Sequence, residues 1–201
     1  MKYLAIDTSG DLIVIAVNGE KSRINYLKGC NTKHSVTLMP YVEQALNECD
    51  LKLCDVDFLA VVTGPGSFTG IRIGVSTVKA LAFALNKPVL ALTSFDLLAY
   101  SDNAPSKCAC LIDANHNNYY VARYQNKVLS QAPAFLSQEK ILSDLSDYEI
   151  AVNEPIGWHS ATVCDIVKGL KNACETLYNN AGELENVVPL YVKKSEAEEN
   201  L

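Results

Sequence analysis

The sequence predicts an α/β fold made of two related halves, and three observations carry that prediction. A strand, a glycine-rich turn and a helix follow one another at residues 58–85, where FLAVVT leads into GPGSFTG and then a helical pattern. The chain opens with an apolar strand, an aspartate, a polar turn and another apolar strand, and CACLIDANHNNYYVARY repeats that order more weakly. We therefore predict an N-terminal half at 1–103 and a reduced C-terminal half, ending in an acidic tail, at 104–201.

The N-terminal half has its elements in the order βββαβα. YLAID and DLIVIAV predict a hairpin within residues 3–17, and residues 22–28 predict a third strand. A helical pattern over residues 35–49 has Ser35 as a suitable N-cap, while Pro40 predicts a distorted first turn. The strand–turn–helix unit completes the order, because the apolar residues of its helix recur at spacings of three and four.

The second half contains fewer predicted elements than the first. Residues 87–94 predict either a strand or the approach to a helix at 94–100, and the polar segment SDNAPSK predicts a linker at 101–107. Beyond the repeated hairpin, the patterns predict a helix at 136–145, a strand at 148–153 and a helix within 160–178.

The charge balance argues against direct binding of a nucleic-acid backbone. The formal net charge is −6, from 17 basic and 23 acidic residues, and no basic stripe follows a predicted element. The apolar runs are too short to cross a bilayer, and the N-terminus predicts a strand rather than a signal peptide. We expect a cytoplasmic protein that has no membrane partner, and, if it acts on nucleic acid, another component to supply most of the binding.

Neither the cysteines nor the histidines form a metal-binding pattern. The seven cysteines contain no C-x-x-C pair and lie mostly in apolar segments, so we predict reduced and buried thiols. His34, His116 and His159 are too scattered for an H-x-x-x-H or H-E-x-x-H motif. His34 precedes a helix and suits a capping or interface role better than that of a ligand or general base. We therefore predict no metal site.

Two polar turns are candidates for a nucleotide or phosphate site, and each also has a purely structural interpretation. In the first turn a carboxylate precedes hydroxyls and a glycine, and in the second the helix start leaves N–H groups for an anion. Alternatively, the first is an Asx-turn, and the glycines only permit positive φ while Ser67 or Thr69 caps the helix. Spacing alone favours the structural interpretations. The candidate residues are Asp7, Thr8, Ser9, Gly64, Gly66 and Ser67.

The helix after the glycine turn carries small residues at a regular spacing. Gly70 and Gly74 lie four residues apart, and Ser76, Thr77 and Ala80 continue the run. Small side chains allow a second backbone to approach closely. That backbone belongs either to the protein's own core or to another subunit, and the spacing does not choose between them.

Five stretches together resemble the TsaB (formerly YeaZ) family, a subunit of the bacterial machinery that makes threonylcarbamoyladenosine in transfer RNA. They occur in order from residue 3 to about 197, and GPGSFTGIRIG is the most specific part of them. The stretches are AIDTS, HSVTLMPYV, GPGSFTGIRIGVSTVKALA, DANHNNYYVARY and PLYVKKSEAE.

The resemblance implies a fold, a role and partners. The implied fold is the actin-like ATPase fold (sugar kinase, Hsp70, actin), with two βββαβα halves of which the second is reduced here. The implied role is that of a non-catalytic scaffold or activator that needs no cofactor. It pairs with itself or with the metal-carrying catalytic paralogue TsaD, and the ATPase TsaE completes the complex. The alternative is an ATP-binding phosphotransferase or ATPase of the same superfamily, for which ATP or ADP would be the ligand.

The resemblance also implies a pairing surface on the helices at 35–49 and 70–86. Small residues on the second helix are what close pairing needs. The sequence departs from the family at Asp113-Ala114-Asn115, where an arginine is usual, and this puts an anion contact there in doubt. The predicted interface residues are His34, Leu38, Tyr41, Val42, Gly70, Ile71, Gly74, Val75, Thr77 and Val78.

Overall fold

The first half of the chain forms a five-stranded sheet with helices on both faces. A computed structural model describes residues 1–19, 23–27 and 34–193, with the backbone alone described for 23–27 and for His34. The elements of this half are β1 (Tyr3–Asp7), β2 (Ile13–Asn18), β3 (Arg23–Leu27), α1 (His34–Glu48), β4 (Phe58–Val62), α2 (Phe68–Leu85), β5 (Val89–Leu92) and α3 (Ser94–Ala99). The predicted βββαβα order is confirmed, and residues 87–94 hold both a strand and the approach to a helix.

The second half forms another five-stranded sheet. Its elements are β6 (Lys107–Asp113), β7 (Asn118–Gln125), β8 (Val128–Ser137), α4 (Gln138–Asp144), β9 (Glu149–Val152), β10 (Thr162–Val163) and α5 (Ile166–Leu177). Strand β8 is absent from the sequence predictions. It is an edge strand with Pro133 in its middle and with no fully buried residue, so it lacks the apolar alternation that identifies a half-buried strand.

The two sheets share one topology, which confirms the two related halves. The strand order is β3-β2-β1-β4-β5 in the first sheet and β8-β7-β6-β9-β10 in the second. In both sheets the first three strands pair antiparallel, and the remaining pairs are parallel. The halves differ between their last two strands. Helix α2 connects β4 to β5, whereas residues 153–161 connect β9 to β10 through turns alone.

The halves pack together through α3 and α5. Helix α5 contacts β1, β2 and β5 of the first sheet, and α3 contacts α5 as well as β6 and β7 of the second. Tyr124 on β7 donates its hydroxyl hydrogen to the Asp96 carboxylate on α3 at 2.8 Å, and burial raises the pKa of that tyrosine. The apolar side chains around this junction form one core shared by both halves. The boundary between residues 103 and 104 stays a prediction.

Helix α2 is the main core helix of the first half. Ser67 caps its start by accepting from the Gly70 N–H, and Asn86 ends it with a left-handed φ of 51°. By length and composition α2 would also suit a membrane span, so the expectation that every apolar run is too short does not hold for it. However, its inward face, which includes Ile71 and Val78, packs against the first sheet, and this packing identifies a core helix.

Candidate functional site

A cleft of about 600 Å³ separates the two halves at the ends of their central strands. The turn after β1 and the equivalent turn after β6 face each other across it, and the glycine turn forms part of its wall. The predicted candidates Asp7, Ser9, Gly66 and Ser67 line this cleft. The topology therefore brings the two predicted polar turns together, as expected for turns that follow neighbouring strands.

The aspartates at the two strand ends adopt the same local structure. One carboxylate oxygen of Asp7 accepts from the backbone N–H of Ser9 at 2.7 Å, and one of Asp113 accepts from the N–H of Asn115 at 2.8 Å. Each is an Asx-turn that closes a hairpin, which is the structural interpretation of the first candidate turn. The resemblance between the halves thus extends to the hydrogen bonding of equivalent residues.

The glycine turn packs tightly against the turn after β1. The Ser67 backbone N–H donates to the Ser9 carbonyl at 2.7 Å, and a Cβ at Gly66 would lie 2.3 Å from the same carbonyl oxygen. Gly64 has φ of +110°, and a Cβ there would meet Ile71 at 2.7 Å. These glycines serve close packing and an unusual backbone conformation. The Ser67 N–H, one of the N–H groups at this helix start, is already hydrogen-bonded within the chain.

The two glycines of the small-residue run on α2 face the protein's own interior, whereas Ser76 and Ala80 are exposed. A Cβ at Gly70 would lie 2.0 Å from the Thr8 carbonyl oxygen, and one at Gly74 would lie 2.4 Å from Thr8 Oγ1. That hydroxyl donates to the Gly70 carbonyl at 2.6 Å, so helix and strand are in direct contact here. The backbone that approaches Gly70 and Gly74 is therefore the turn after β1. This corrects the assignment of the two glycines to contact with a partner.

The cleft is acidic. Four carboxylates line it, those of Asp7, Asp11, Asp113 and Glu154, and its lining residues in the described part of the chain include no lysine, arginine or histidine. A phosphate placed here would be repelled by carboxylates at close range. Within the described ranges, no group of three or more His, Cys, Asp or Glu side chains is arranged to hold a metal ion. Among its described residues, the cleft thus offers a triphosphate neither a cationic side chain nor a group of three metal ligands.

Most of the predicted interface residues lie inside the subunit. Their burial corrects the assignment of these side chains to an outward surface, because they fill the space between α1, α2 and the first sheet. Tyr41 and Thr77 are half-buried, and the side chain of His34 lies outside the described residues. The buried ones are Leu38, which also borders the groove between the two helices, Val42, Gly70, Ile71, Gly74, Val75 and Val78.

The outward faces of α1 and α2 carry a different set of side chains. Val36 on α1 is 71% exposed and Phe83 on α2 is 81% exposed, while Met39 and Phe68 are about half exposed. A groove of about 490 Å³ runs between the helices, lined on the α1 side by Ser35, Leu38 and Met39 and on the α2 side by Phe68, Thr69, Arg72, Ile73, Ser76 and Thr77. We call these faces and the groove the two-helix surface. Exposed apolar side chains gathered in this way are typical of a contact site.

The two helices carry charges of opposite sign. The acidic residues Glu43 and Glu48 are the charged residues of α1, apart from its terminal histidine, and Arg72 and Lys79 are those of α2. Glu43 and Arg72 are exposed. A partner with a similar helix pair could pack its basic helix against α1 and its acidic helix against α2, which would bring unlike charges together.

The described cysteines are in the thiol form, and most are buried as predicted. Cys54 is exposed, which departs from the prediction, and Cys30 lies outside the described residues. Burial raises the pKa of Cys164 to about 11, whereas a hydrogen bond from the Cys110 thiol lowers the pKa of Cys108. We assign the buried thiols to the core because they lie within its apolar cluster.

Sequence patterns alone missed Phe83 on the two-helix surface and Tyr191 beside it. Phe83 is 11 residues after Arg72, which places it about 20° away around the helix and so on the same stripe. That spacing was available, but it reveals a surface only once the inward face is known. Tyr191 packs its ring 5.4 Å from that of Phe68, and no local pattern predicts a contact between residues so distant in sequence.

A family model and several relatives match this chain. The model described as TsaD, tRNA N6-adenosine threonylcarbamoyltransferase, matches residues 28–153. The tRNA threonylcarbamoyladenosine biosynthesis protein TsaB of Bacillus subtilis is 38% identical over 129 residues, which cover 63% of this chain and 56% of that protein. The TsaB protein of Haemophilus influenzae is 33% identical over 161 residues, covering 77% of this chain and 67% of that protein. The chain therefore spans between about half and two thirds of these relatives.

A solved structure extends the likeness to the whole fold. YeaZ from Pseudomonas aeruginosa superposes with a TM-score of 0.78 at 27% identity, covering 95% of this chain and 100% of that one. Together with the repeated topology and the TsaD-type match, this likeness identifies the actin-like ATPase-type fold. The fold class predicted from the sequence is confirmed.

Proposed function

Because the chain belongs to the TsaB family, within the wider group that the TsaD model describes, we propose that it is a non-catalytic subunit in the formation of threonylcarbamoyladenosine in transfer RNA. It pairs through the two-helix surface, with a second copy of itself when free and with a TsaD-like catalytic paralogue in the working complex. A TsaE-like ATPase completes that complex.

The exposed apolar character of the two-helix surface carries this proposal. Phe83 projects from α2, and the groove beside Phe68 and Arg72 lies on the same helix. Large aromatic residues and arginine are the types that contribute most to binding energy at protein interfaces. A surface with this composition gains free energy when a partner removes it from water.

The cleft supports a non-catalytic role. The carboxylate of Asp7, which is placed like a catalytic group, is 97% buried and accepts the Ser9 N–H of its own turn. Phosphoryl transfer needs cations around the transferred group, and among the described residues that line the cleft no lysine, arginine or histidine supplies one. The net charge of −6 likewise disfavours direct binding to the phosphate backbone of RNA, so transfer RNA is bound by other subunits. Placement of this chemistry in the cytoplasm stays a prediction.

Phe83→Arg is the test of the pairing proposal. It places a charge at the most exposed apolar point of the surface, where a partner would have to bury it without a counter-charge. We expect self-association and binding to the TsaD-like paralogue to weaken by about 30-fold or more, the loss typical of an interface hot spot. Analytical ultracentrifugation measures the first, and a pull-down with a transfer-RNA modification assay measures the second.

Leu142→Arg provides the matched control. Leu142 lies on α4 in the second half and is 50% exposed, so the same substitution there leaves the two-helix surface intact. We expect unchanged pairing and unchanged modification activity. If Phe83→Arg pairs as the parent does, the two-helix surface is not the pairing surface and the proposal fails.

The alternative of an ATP-dependent enzyme is tested by titrating the isolated chain with Mg-ATP. Because the described residues that line its cleft include no cationic side chain for the phosphates, we expect no binding tighter than about 1 mM and no release of phosphate. Calorimetry and a phosphate-release assay measure the two quantities. The same titration with the paralogue present separates a site within this chain from a site at the interface. Micromolar binding by the isolated chain would favour the enzyme.

A further inference from the structure

The segment from Gly182 to Lys193 returns from the second half and lies along the first. It forms an antiparallel bridge with Val89 at the edge of β5, with both hydrogen bonds at 3.0 Å. Val187 is buried in the core under α2, and its carbonyl accepts from Lys79 Nζ at 3.1 Å. We call this segment the C-terminal strap. These contacts, all within one subunit, hold the strap against α2 and the edge of the first sheet.

The strap ends in a stack of three side chains on the outward face of α2. The Tyr191 and Phe68 rings lie 5.4 Å apart between centroids, and the Arg72 guanidinium lies 3.8 Å from the centre of the Phe68 ring. Arg72 Nε donates to the Tyr191 hydroxyl at 3.0 Å. The backbone of Leu190 donates to the Thr63 carbonyl at 2.8 Å, which anchors the residue before Tyr191. The stack is therefore held from both sides, by helix and by strap.

We infer that the C-terminal strap is a working part of the pairing surface, and that Tyr191 is a positioning residue that presents Arg72 and Phe68 to a second copy of this chain. The inference rests on the proposed function, because it assigns new residues to the same surface. Phe68 and Arg72 line the groove between α1 and α2, so whatever fixes their conformation also fixes one wall of that groove.

Charge complementarity favours a second copy as the occupant. Arg72 is exposed and, within the described part of the chain, has no carboxylate within 4.0 Å. Its guanidinium has donors left after the bond to Tyr191, and these suit a carboxylate. Exposed Glu43 on α1 of a second copy supplies one. Phe83 lies on the Arg72 stripe about 16 Å further along α2, so a two-fold axis that crosses α2 between these two residues would set the Phe83 of each copy against the groove of the other.

Tyr191 matters because an unfixed arginine is a poor contact. A free arginine side chain loses rotamer freedom when it binds, and this loss opposes association. Here the hydrogen bond to Tyr191 and the ring of Phe68 hold Arg72 before a partner arrives. Removing the tyrosine leaves α2 in place but lets the Arg72 side chain move. The conformational entropy of that side chain is then lost on association, which weakens pairing.

Sedimentation of the full chain tests the inference with two substitutions of Tyr191. We expect Tyr191→Ala to weaken self-association by about tenfold and Tyr191→Phe, which keeps the ring but loses the hydroxyl, by about threefold. Both losses of affinity should be smaller at high salt. Salt screens the attraction between Arg72 and the carboxylate of the other copy, so holding Arg72 in position then contributes less to association. Tyr178→Ala, at another exposed tyrosine of similar exposure, should change nothing.

The outcomes separate this inference from the proposed function. If Phe83→Arg dissociates the dimer while both Tyr191 variants pair as the parent does, the strap has no part in pairing and the proposed function stands. If none of the three weakens association, both fail. If the parent is a monomer throughout, this inference fails, and the pull-down of Phe83→Arg with the paralogue decides the proposed function. A thermal melt accompanies each variant, and Tyr191→Phe keeps the test decisive should Tyr191→Ala unfold.

Discussion

Gly70→Ala is expected to lower the free energy of unfolding by about 3 kcal/mol, the upper part of the range for overpacking a core. A methyl group there would lie 2.0 Å from the Thr8 carbonyl oxygen, which is backbone and has little freedom to retreat. The Thr8 hydroxyl also donates to the Gly70 carbonyl at 2.6 Å, so moving α2 outward would break that bond too. Replacing glycine by alanine within a helix otherwise stabilises by up to about 1 kcal/mol, so the clash decides the sign.

Gly157→Ala provides the control for this prediction. A Cβ at Gly157 would meet nothing within 4 Å, so we expect a change within about 0.5 kcal/mol. Urea denaturation followed by circular dichroism measures both variants. A Gly70→Ala protein as stable as the parent would mean that α2 does not pack on the turn after β1. The same geometry means that a large side chain at Gly74 disturbs folding, so Phe83 is the better position for testing pairing.

The sequence predicts this fold well where the hydrophobic period of a segment and the residue types of its flanking turns indicate the same element. The buried strand before GPGSFTG, the apolar face of α2 and the repeated hairpin with its aspartate all lie where the patterns place them. Strand β8 is not predicted because half of its residues are exposed, none is fully buried, and it contains Pro133. A hydrophobic pattern identifies a strand or helix through its buried face, and β8 has almost no buried face.

The candidate site is harder to predict, because the spacing of residues does not show whether a helix face points to the core or to the solvent. Gly70 and Gly74 permit a close approach on either side, and only the position of Thr8 shows that the approach is internal. Tyr191 and Arg72 are far apart in sequence, and their contact depends on the course of the whole second half. The surface left for partners is therefore known only after the core has been assigned.

The second half shows how the fold replaces a missing helix. In the first half, α2 covers one face of the sheet between β4 and β5. In the second half residues 153–161 connect the equivalent strands, and Ile156 and Trp158 pack against the apolar cluster that α4 leaves uncovered. The Trp158 ring lies 5.4 Å from that of Tyr119, and its Nε1 donates to the Tyr119 hydroxyl at 2.8 Å. One large side chain thus takes over part of the role of a helix.

Trp158→Ala should therefore lower the free energy of unfolding by about 3 kcal/mol, the lower limit for deleting a packed tryptophan, because the side chain is only partly buried. Trp158→Phe keeps a ring on the sheet but loses the donor to Tyr119, so we expect about 1 kcal/mol. Since Trp158 is the single tryptophan of the chain, circular dichroism rather than fluorescence must follow the urea transition. Equal losses in the two variants would mean that the hydrogen bond, and not the covering of the sheet, is what this residue contributes; no loss in either would mean that the turns alone cover the second sheet.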